Sequence, residues 1–198
     1  MTDLNTITGS IPENYHEVLY WKLTGNRSRV IIMNLMAIPL FMLSGLIFFA
    51  LAISLGKLPE GFNFGLVEVG MVFAGILLTL ILHELMHGLA MRAFGARPSY
   101  GVLWKAMAFY ATSPGYAFKR WEYLVIALAP FAGITILMIL GMGLLNGTNW
   151  VALFWLCGTI NASGAIGDLW MSTIVLRYAP VAYVIDERDG LRVFLPKP

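Results

Sequence analysis

Four long apolar runs constrain this chain more than any other feature. They cover residues 30–55, 69–91, 124–145 and 150–176, and each has at least the roughly 20 helical residues needed to cross the hydrocarbon of a bilayer. Of the 198 residues, 59% are hydrophobic and only 12% are charged, which is more apolar surface than one soluble core of this size can bury. We therefore expect an all-α membrane protein with four transmembrane helices.

The distribution of basic residues predicts the orientation of these spans. With four spans, both tails and the middle connection lie on one side, and that side holds 12 of the 13 lysines and arginines, leaving only Lys57 on the other. Cytoplasmic loops are enriched in Lys and Arg, so we expect both termini to be cytoplasmic. Five of them are expected to contact the lipid bilayer, and nothing in their pattern favours a nucleic-acid partner; they are Arg92, Arg97, Lys105, Lys119 and Arg120.

Polar or helix-breaking segments flank and connect the spans. A cytoplasmic N-terminal tail (1–29) precedes the transmembrane domain (30–176), and residues 177–198 read as a small C-terminal β-hairpin because two apolar runs flank a polar turn. Between the second and third spans, Gly and Pro residues interrupt helix. The largely apolar stretch 100–110 within it is either partly extended or re-entrant structure, or a segment lying at the membrane interface.

The second span contains the sequence His83-Glu84-Leu85-Met86-His87. Residues four apart lie on one face of a helix, so both imidazoles can bind one metal ion while Glu84 points at the water that the ion holds. Tyrosine and cysteine aside, the four spans contain only four titratable side chains, which are His83, Glu84, His87 and Asp168. A carboxylate in mid-membrane is costly without a partner, and a divalent cation would be such a partner.

Depth in the membrane points to Asp168 as the third ligand. The second and fourth spans run in the same direction, and each is followed by an arginine at its cytoplasmic end, Arg92 or Arg177. His83 and Asp168 each precede that arginine by nine residues, which places both roughly 13 Å below the boundary. A catalytic zinc site can consist of two histidines, one carboxylate and an open position for water. The same donors also suit iron, manganese or cobalt.

A site of this kind favours metal-assisted hydrolysis of an amide bond. Glu84 would take the proton from water and return it to the leaving amine as general base and then general acid. Asn161 precedes Asp168 by seven residues, two helical turns away on the same face. Its amide either donates a hydrogen bond to the substrate carbonyl or oxyanion, or forms a hydrogen bond between helices.

The motif His83-Glu84-x-x-His87 lies on one span, and Asn161 and Asp168 follow on a later one. This arrangement resembles the site-2 protease group of intramembrane zinc metalloproteases, in which an HExxH helix combines with an Asn and a following Asp on a later helix. Three strings are similar to a zincin peptidase family of small prokaryotic membrane proteins. They are His-Glu-Leu-Met-His-Gly (83–88), Tyr-Ala-Thr-Ser-Pro-Gly (110–115) and Asn-Ala-Ser-Gly-Ala-Ile-Gly-Asp (161–168). This second resemblance covers most of the chain and implies a prokaryotic cell membrane.

The site-2 resemblance implies Zn²⁺ bound by His83, His87 and Asp168, with Glu84 as acid and base and a cytoplasm-facing site that cuts transmembrane segments. The chain departs from that group at Gly164, which occupies the position of a proline, and at Gly167-Asp168, which replaces an Asp-Gly pair. Site-2 enzymes hold substrate against an edge strand, and the stretch 100–110 is the candidate here.

The sequence predicts a membrane-embedded zinc endopeptidase acting on membrane or membrane-proximal peptides at the cytoplasmic leaflet. The alternative is a metal-binding membrane protein without hydrolytic activity, such as a transporter subunit or sensor. Two further readings are an adaptor that lost its chemistry and a polar cluster that only joins helices. The sequence leaves the substrate, the cleavage position and the oligomeric state open.

Overall fold

The computed structural model describes residues 11–23, 25–55, 65–103 and 108–198. Its elements, in chain order, are β1 (Tyr15–Lys22), α1 (Arg27–Leu55), α2 (Leu66–Ala93), β2 (Ser99–Leu103), β3 (Ala108–Thr112), β4 (Ala117–Lys119), α3 (Arg120–Leu144), α4 (Trp150–Gly164), α5 (Ile166–Leu176), β5 (Tyr183–Glu187) and β6 (Gly190–Pro196). Lys57 and the other residues of 56–64, which connect the first two predicted spans, lie outside the described residues.

Four helical segments of the described chain are long and apolar enough to cross a membrane. They are Arg27–Leu55, Leu66–Ala93, Arg120–Leu144 and Trp150–Leu176, which correspond to the four spans expected from the sequence. In each of them most side chains are not buried inside the protein, as expected for helices whose outer surface is covered by lipid. These helices fit a membrane protein.

Local sequence explains where two of these helices begin and end. Asn26 precedes α1, and its Oδ1 accepts a hydrogen bond from the Arg29 backbone N–H at 3.2 Å, which satisfies one free donor of the first turn. Gly95 follows α2 with φ of +86°, and the backbone N–H of Ala96 bonds the Met91 carbonyl at 3.0 Å. This left-handed glycine cap is a common helix terminus.

The fourth predicted span is not one continuous helix. The predicted span over 150–176 is present as one segment long and apolar enough to cross a membrane, but its helix is interrupted at Ala165, between α4 and α5, a break that the sequence did not predict. Glycines lower helix stability on both sides of the break, at Gly164 and Gly167. As a result Asp168 lies in the first turn of α5, where the positive end of the helix dipole favours a carboxylate.

The all-α prediction also omitted part of the β-structure. The C-terminal hairpin is present as β5 and β6, but it belongs to a four-stranded antiparallel sheet of order β1-β6-β5-β4. Strand β1 comes from the segment expected to be a tail, and it pairs with β6 from Tyr15 opposite Pro196 to Lys22 opposite Gly190. Strands β2 and β3 form a separate two-stranded sheet.

The chain divides into two compact units. The first comprises the described parts of residues 1–32 together with Glu84–Ala129 and Gly167–Pro198. It contains both sheets and a buried core drawn from sheet and helix residues, which include Met91, Phe118, Tyr123, Val175, Val184, Leu191 and Val193.

The second unit comprises Met33–His83 and Pro130–Ile166 and is helical. Small residues let its helices approach closely. A Cβ at Gly158 would overlap the ring of Phe48, and one at Gly141 would overlap the ring of Phe154. The boundary between the units falls inside α2, between His83 and Glu84, and inside α3, between Ala129 and Pro130.

Candidate metal centre

His87 and Asp168 form the best-defined part of the site. The His87 Nε2 atom lies 3.4 Å from Oδ1 of Asp168, and both side chains are nearly inaccessible to solvent. Two ligands placed about 2.0–2.1 Å from a tetrahedral ion are separated by roughly 3.3–3.4 Å. The observed separation therefore fits a pair of ligands to a single zinc ion.

His83 lies one turn before His87 on the same continuous helix, α2. One potential ligand atom from each of His83, His87 and Asp168 can be chosen so that all three lie within 4.8 Å of one another. Two imidazoles and one carboxylate are the donor set of a catalytic zinc site that keeps a fourth position for water. These residues would hold the ion, and the structure brings together the three ligands that the sequence predicts.

The orientation of the His87 ring is set by a backbone carbonyl. Its Nδ1 atom lies 2.9 Å from the carbonyl oxygen of Ile126 in α3. A carbonyl only accepts hydrogen bonds, so Nδ1 carries the hydrogen and the lone pair of the neutral ring is on Nε2, the atom that faces Asp168. This is the usual second contact of a metal-bound histidine.

Asn161 orients His83 in a similar way. The Asn161 Nδ2 atom donates to the carbonyl oxygen of Pro130 at 3.3 Å, and this leaves Oδ1 facing Nδ1 of His83 at 3.0 Å. The His83 Nδ1–H group is therefore the donor, and Nε2 holds the lone pair. Asn161 is buried and both polar ends of its amide are engaged with helices, so the structure favours the interhelical hydrogen bond, while a substrate contact stays a prediction.

Glu84 follows His83 on α2 and is half-buried. One step along an α-helix turns the side chain by about 100°, so Glu84 flanks the histidine face instead of lying on it. A carboxylate beside the open position of the metal is suited to exchange protons with water. The role of Glu84 as the general base stays a prediction.

The hairpin β2–β3 contacts α2 beside the histidines. A Cβ at Gly88, the residue after His87, would overlap the phenol oxygen of Tyr100 on β2. Only glycine at position 88 allows this approach. The stretch 100–110 is extended at both ends, in β2 and β3, and residues 104–107 lie outside the described part of the chain. Strand β2 lies against α2, the helix that carries the motif.

Sequence reasoning did not identify Asp186. This residue lies on β5, where the Thr112 hydroxyl donates to its backbone carbonyl at 3.1 Å, and its carboxylate interacts electrostatically with His87 and Asp168. Burial raises the pKa of Asp186 to about 7, partly offset by hydrogen bonding to Thr112 and by His87. In the sequence Asp186 belongs to the polar stretch between two apolar runs, and such a position gives no signal that the residue interacts with the site.

Sequence reasoning also did not identify the atoms that accept hydrogen bonds from the imidazoles of His83 and His87. A proline in the middle of the third span is visible in the sequence, and it marks the carbonyl four residues earlier as lacking its normal donor. Nothing in the sequence indicates, however, that His87 supplies the replacement. That pairing depends on how the helices pack.

The comparisons with known proteins agree with this chemistry. A family model described as "Putative zincin peptidase" matches residues 76–183, more than half of the chain. The matched segment includes all five predicted site residues, which are His83, Glu84, His87, Asn161 and Asp168. A search of curated proteins and a search of solved structures each found no match. Because the family model covers most of the chain, this protein belongs to that zincin peptidase family.

Proposed function

We propose that this protein is a membrane-embedded zinc metallopeptidase that hydrolyses peptide bonds within or near the cytoplasmic leaflet. The observation that carries the proposal is the approach of His83, His87 and Asp168 to within 4.8 Å of one another, on helical segments apolar enough to cross a membrane. Ion sites at such depth are rare without a function, because charged groups there are costly.

The chain's own residues supply the proton transfers that hydrolysis needs. A zinc ion held by this site would lower the pKa of water and polarise the peptide carbonyl. Glu84 accepts a proton from the attacking water and delivers it to the nitrogen of the leaving amine, so that one amide and one water become an acid and an amine. Asn161 and the Ile126 carbonyl keep the two imidazoles in the orientation that binding requires.

The cytoplasmic location of this chemistry rests on the distribution of charge. Lysines and arginines are concentrated on the side to which the tails belong, and His83 and Asp168 each lie nine residues from an arginine at that end of their span. The four-stranded sheet, built from both tails and from β4, would then lie on the same side.

Strand β2 offers a place for an extended substrate. In the part of the chain that the structure describes, β2 pairs only with β3, and Tyr100 seats it against Gly88 of the motif helix. An edge strand recognises a peptide through backbone hydrogen bonds, largely independently of its sequence. Such binding would present an unfolded or locally unwound segment to the metal.

Terminal-amine labelling of membrane proteins tests the proposal, because it detects cleavage of any protein in the membrane and requires no chosen substrate. Membranes containing the wild type should yield new N-termini within or beside transmembrane segments of other proteins, and membranes containing Glu84→Gln should not. Elemental mass spectrometry should find equal zinc in both proteins. Glu68→Gln makes the same chemical change at the far end of the same helix and should retain the wild-type cleavages.

The outcomes separate the two candidate functions. Cleavages that persist in Glu84→Gln would exclude Glu84 as the proton carrier. A wild type that binds zinc but yields no new N-termini would favour the metal-binding protein without hydrolytic activity. A wild type that binds no metal after reconstitution with zinc would exclude both functions.

A further inference from the structure

Two of the four spanning segments contain a proline in their interior, Pro39 in α1 and Pro130 in α3. Proline lacks a backbone N–H, so the carbonyl four residues before it loses its helical partner. In a membrane such a carbonyl must find another donor, because water is absent and an unsatisfied polar group is costly. The carbonyl four residues before Pro130 accepts a hydrogen bond from His87, one of the predicted metal ligands.

The carbonyl released by Pro130 is that of Ile126, a residue that is 2% exposed. It accepts the hydrogen bond from Nδ1 of His87 at 2.9 Å. This bond directs Nε2 of His87 towards Asp168, 3.4 Å away. The missing amide hydrogen at position 130 thus leaves room for an imidazole hydrogen in its place.

The carbonyl of Pro130 itself serves the second histidine. It accepts from Nδ2 of Asn161 at 3.3 Å, and this contact decides which end of the Asn161 amide faces His83. With Nδ2 engaged, Oδ1 accepts from Nδ1 of His83 at 3.0 Å. Pro130 therefore also affects the orientation of His83, through the side chain of Asn161.

We propose that Pro130 is a positioning residue for the metal centre, which aligns His87 through the carbonyl of Ile126 and His83 through Asn161. It touches neither metal nor substrate. Its effect is to keep hydrogen on Nδ1 of both rings, so that both Nε2 atoms present lone pairs to one ion.

The identity of the residue matters because any other amino acid restores an amide hydrogen at this position. That hydrogen would bond to the Ile126 carbonyl as in an ordinary helix turn and compete with Nδ1 of His87. Pro130 is fully buried, so water is not available to satisfy the displaced imidazole. We expect the ring to lose its alignment even where the helix itself becomes more regular.

Pro130→Ala tests the proposal, with Pro39→Ala as the matched control. Both variants replace a proline inside a spanning helix and restore one amide hydrogen, but only the first adjoins the site. Zinc affinity, measured by competition with a chelator in detergent micelles, should fall about tenfold or more in Pro130→Ala, the usual effect of removing an outer partner of a ligand. In Pro39→Ala it should remain that of the wild type.

A second measurement distinguishes alignment from general damage. The chain has only three histidines, so ¹⁵N-histidine spectra of the zinc-loaded protein can be assigned with His16 as an internal reference. In the wild type, His83 and His87 should each carry a slowly exchanging hydrogen on Nδ1 and bind zinc through Nε2. In Pro130→Ala, the Nδ1 hydrogen of His87 should exchange rapidly, while a purely structural role would lower thermal stability and leave this signal unchanged.

The proposal rests on the metal centre of the proposed function but not on hydrolysis. A wild type without zinc would overturn the metal centre itself. Zinc bound through Nδ1 of His87 in the wild type would overturn the role of Pro130 even if Pro130→Ala does not fold. Equal zinc affinity and equal exchange of the His87 hydrogen in Pro130→Ala and the wild type would also overturn it, while leaving the metallopeptidase proposal intact.

Discussion

His87 and Asp168 come from distant parts of the sequence, yet Nε2 of the first lies 3.4 Å from Oδ1 of the second. Two features of the chain allow this approach. The Ile126 carbonyl turns the imidazole, and the break at Ala165 places Asp168 in the first turn of α5. The pair is close enough for two ligands of one ion and is largely shielded from solvent.

Removing the carboxylate should remove the metal. We expect Asp168→Ala to bind far less than one zinc per chain under conditions in which the wild type binds about one, because only two protein ligands remain. Elemental mass spectrometry of the purified proteins measures this ratio. Glu13→Ala, which deletes an exposed carboxylate, should keep the wild-type content, and equal zinc in Asp168→Ala would show that this residue is not a ligand.

Asn161→Ala should weaken zinc binding, because His83 loses the acceptor for its Nδ1 hydrogen. We expect a loss of about tenfold or more in zinc affinity by chelator competition, as for other outer partners of ligand histidines. Asn146→Ala is the control, since Asn146 is exposed and its amide donates to the nearby carbonyl of Gly143 at 3.1 Å. If zinc affinity is unchanged while cleavage is lost, the alternative role of Asn161 as a substrate contact would be favoured.

Gly88→Ala should displace the hairpin β2–β3 from the motif helix. The new methyl group would overlap the Tyr100 phenol, so the ring must move away from α2. Limited proteolysis should cut the hairpin faster in this variant than in the wild type, with zinc content retained. The double variant Gly88→Ala with Tyr100→Ala should recover protection. Gly143→Ala should behave as the wild type, because among the described residues no atom lies within 4 Å of the added Cβ.

Asp186 should make the metal-free protein less stable as the pH rises. Burial raises its pKa in the folded state to about 7, above the ordinary 3.8, so folding takes up a proton between these values and stability falls across that window. Asp186→Asn has no charge to bury and should lack this slope. Thermal unfolding with a chelator present should show the stability of the variant rising relative to that of the wild type from about pH 4 to about pH 7. Parallel pH profiles would contradict the assignment.

The sequence predicted the parts of the site that depend on local geometry. His83 and His87 share a helix face because they are four residues apart, whatever the rest of the chain does. Asp168 was predicted as their partner from depth alone, because two spans running in the same direction bring equal distances from an anchoring arginine to equal heights. The first argument needs only the helical repeat, and the second needs only the helix rise and an arginine at the end of each span.

The predictions failed where structure depends on partners distant in the chain. Strand β1 is recognisable only as the partner of β6, since a mostly exposed strand of this composition is stabilised by its pairing and not by its own pattern. The break at Ala165 was missed because the segment 150–176 as a whole is long and apolar enough to cross a membrane. Hydropathy measures transfer into lipid and carries no information on helix continuity.

Length and composition of the apolar runs by themselves determined four helices fit for a membrane, and the motif determined two histidines on one of them. Tertiary structure alone decided what completes the centre. The Ile126 carbonyl holds one ring, Asn161 holds the other, and Asp186 approaches from the sheet. Helical periodicity fixes which residues share a face, but the hydrogen bonds that orient a ligand form between elements, where only packing determines which atoms meet.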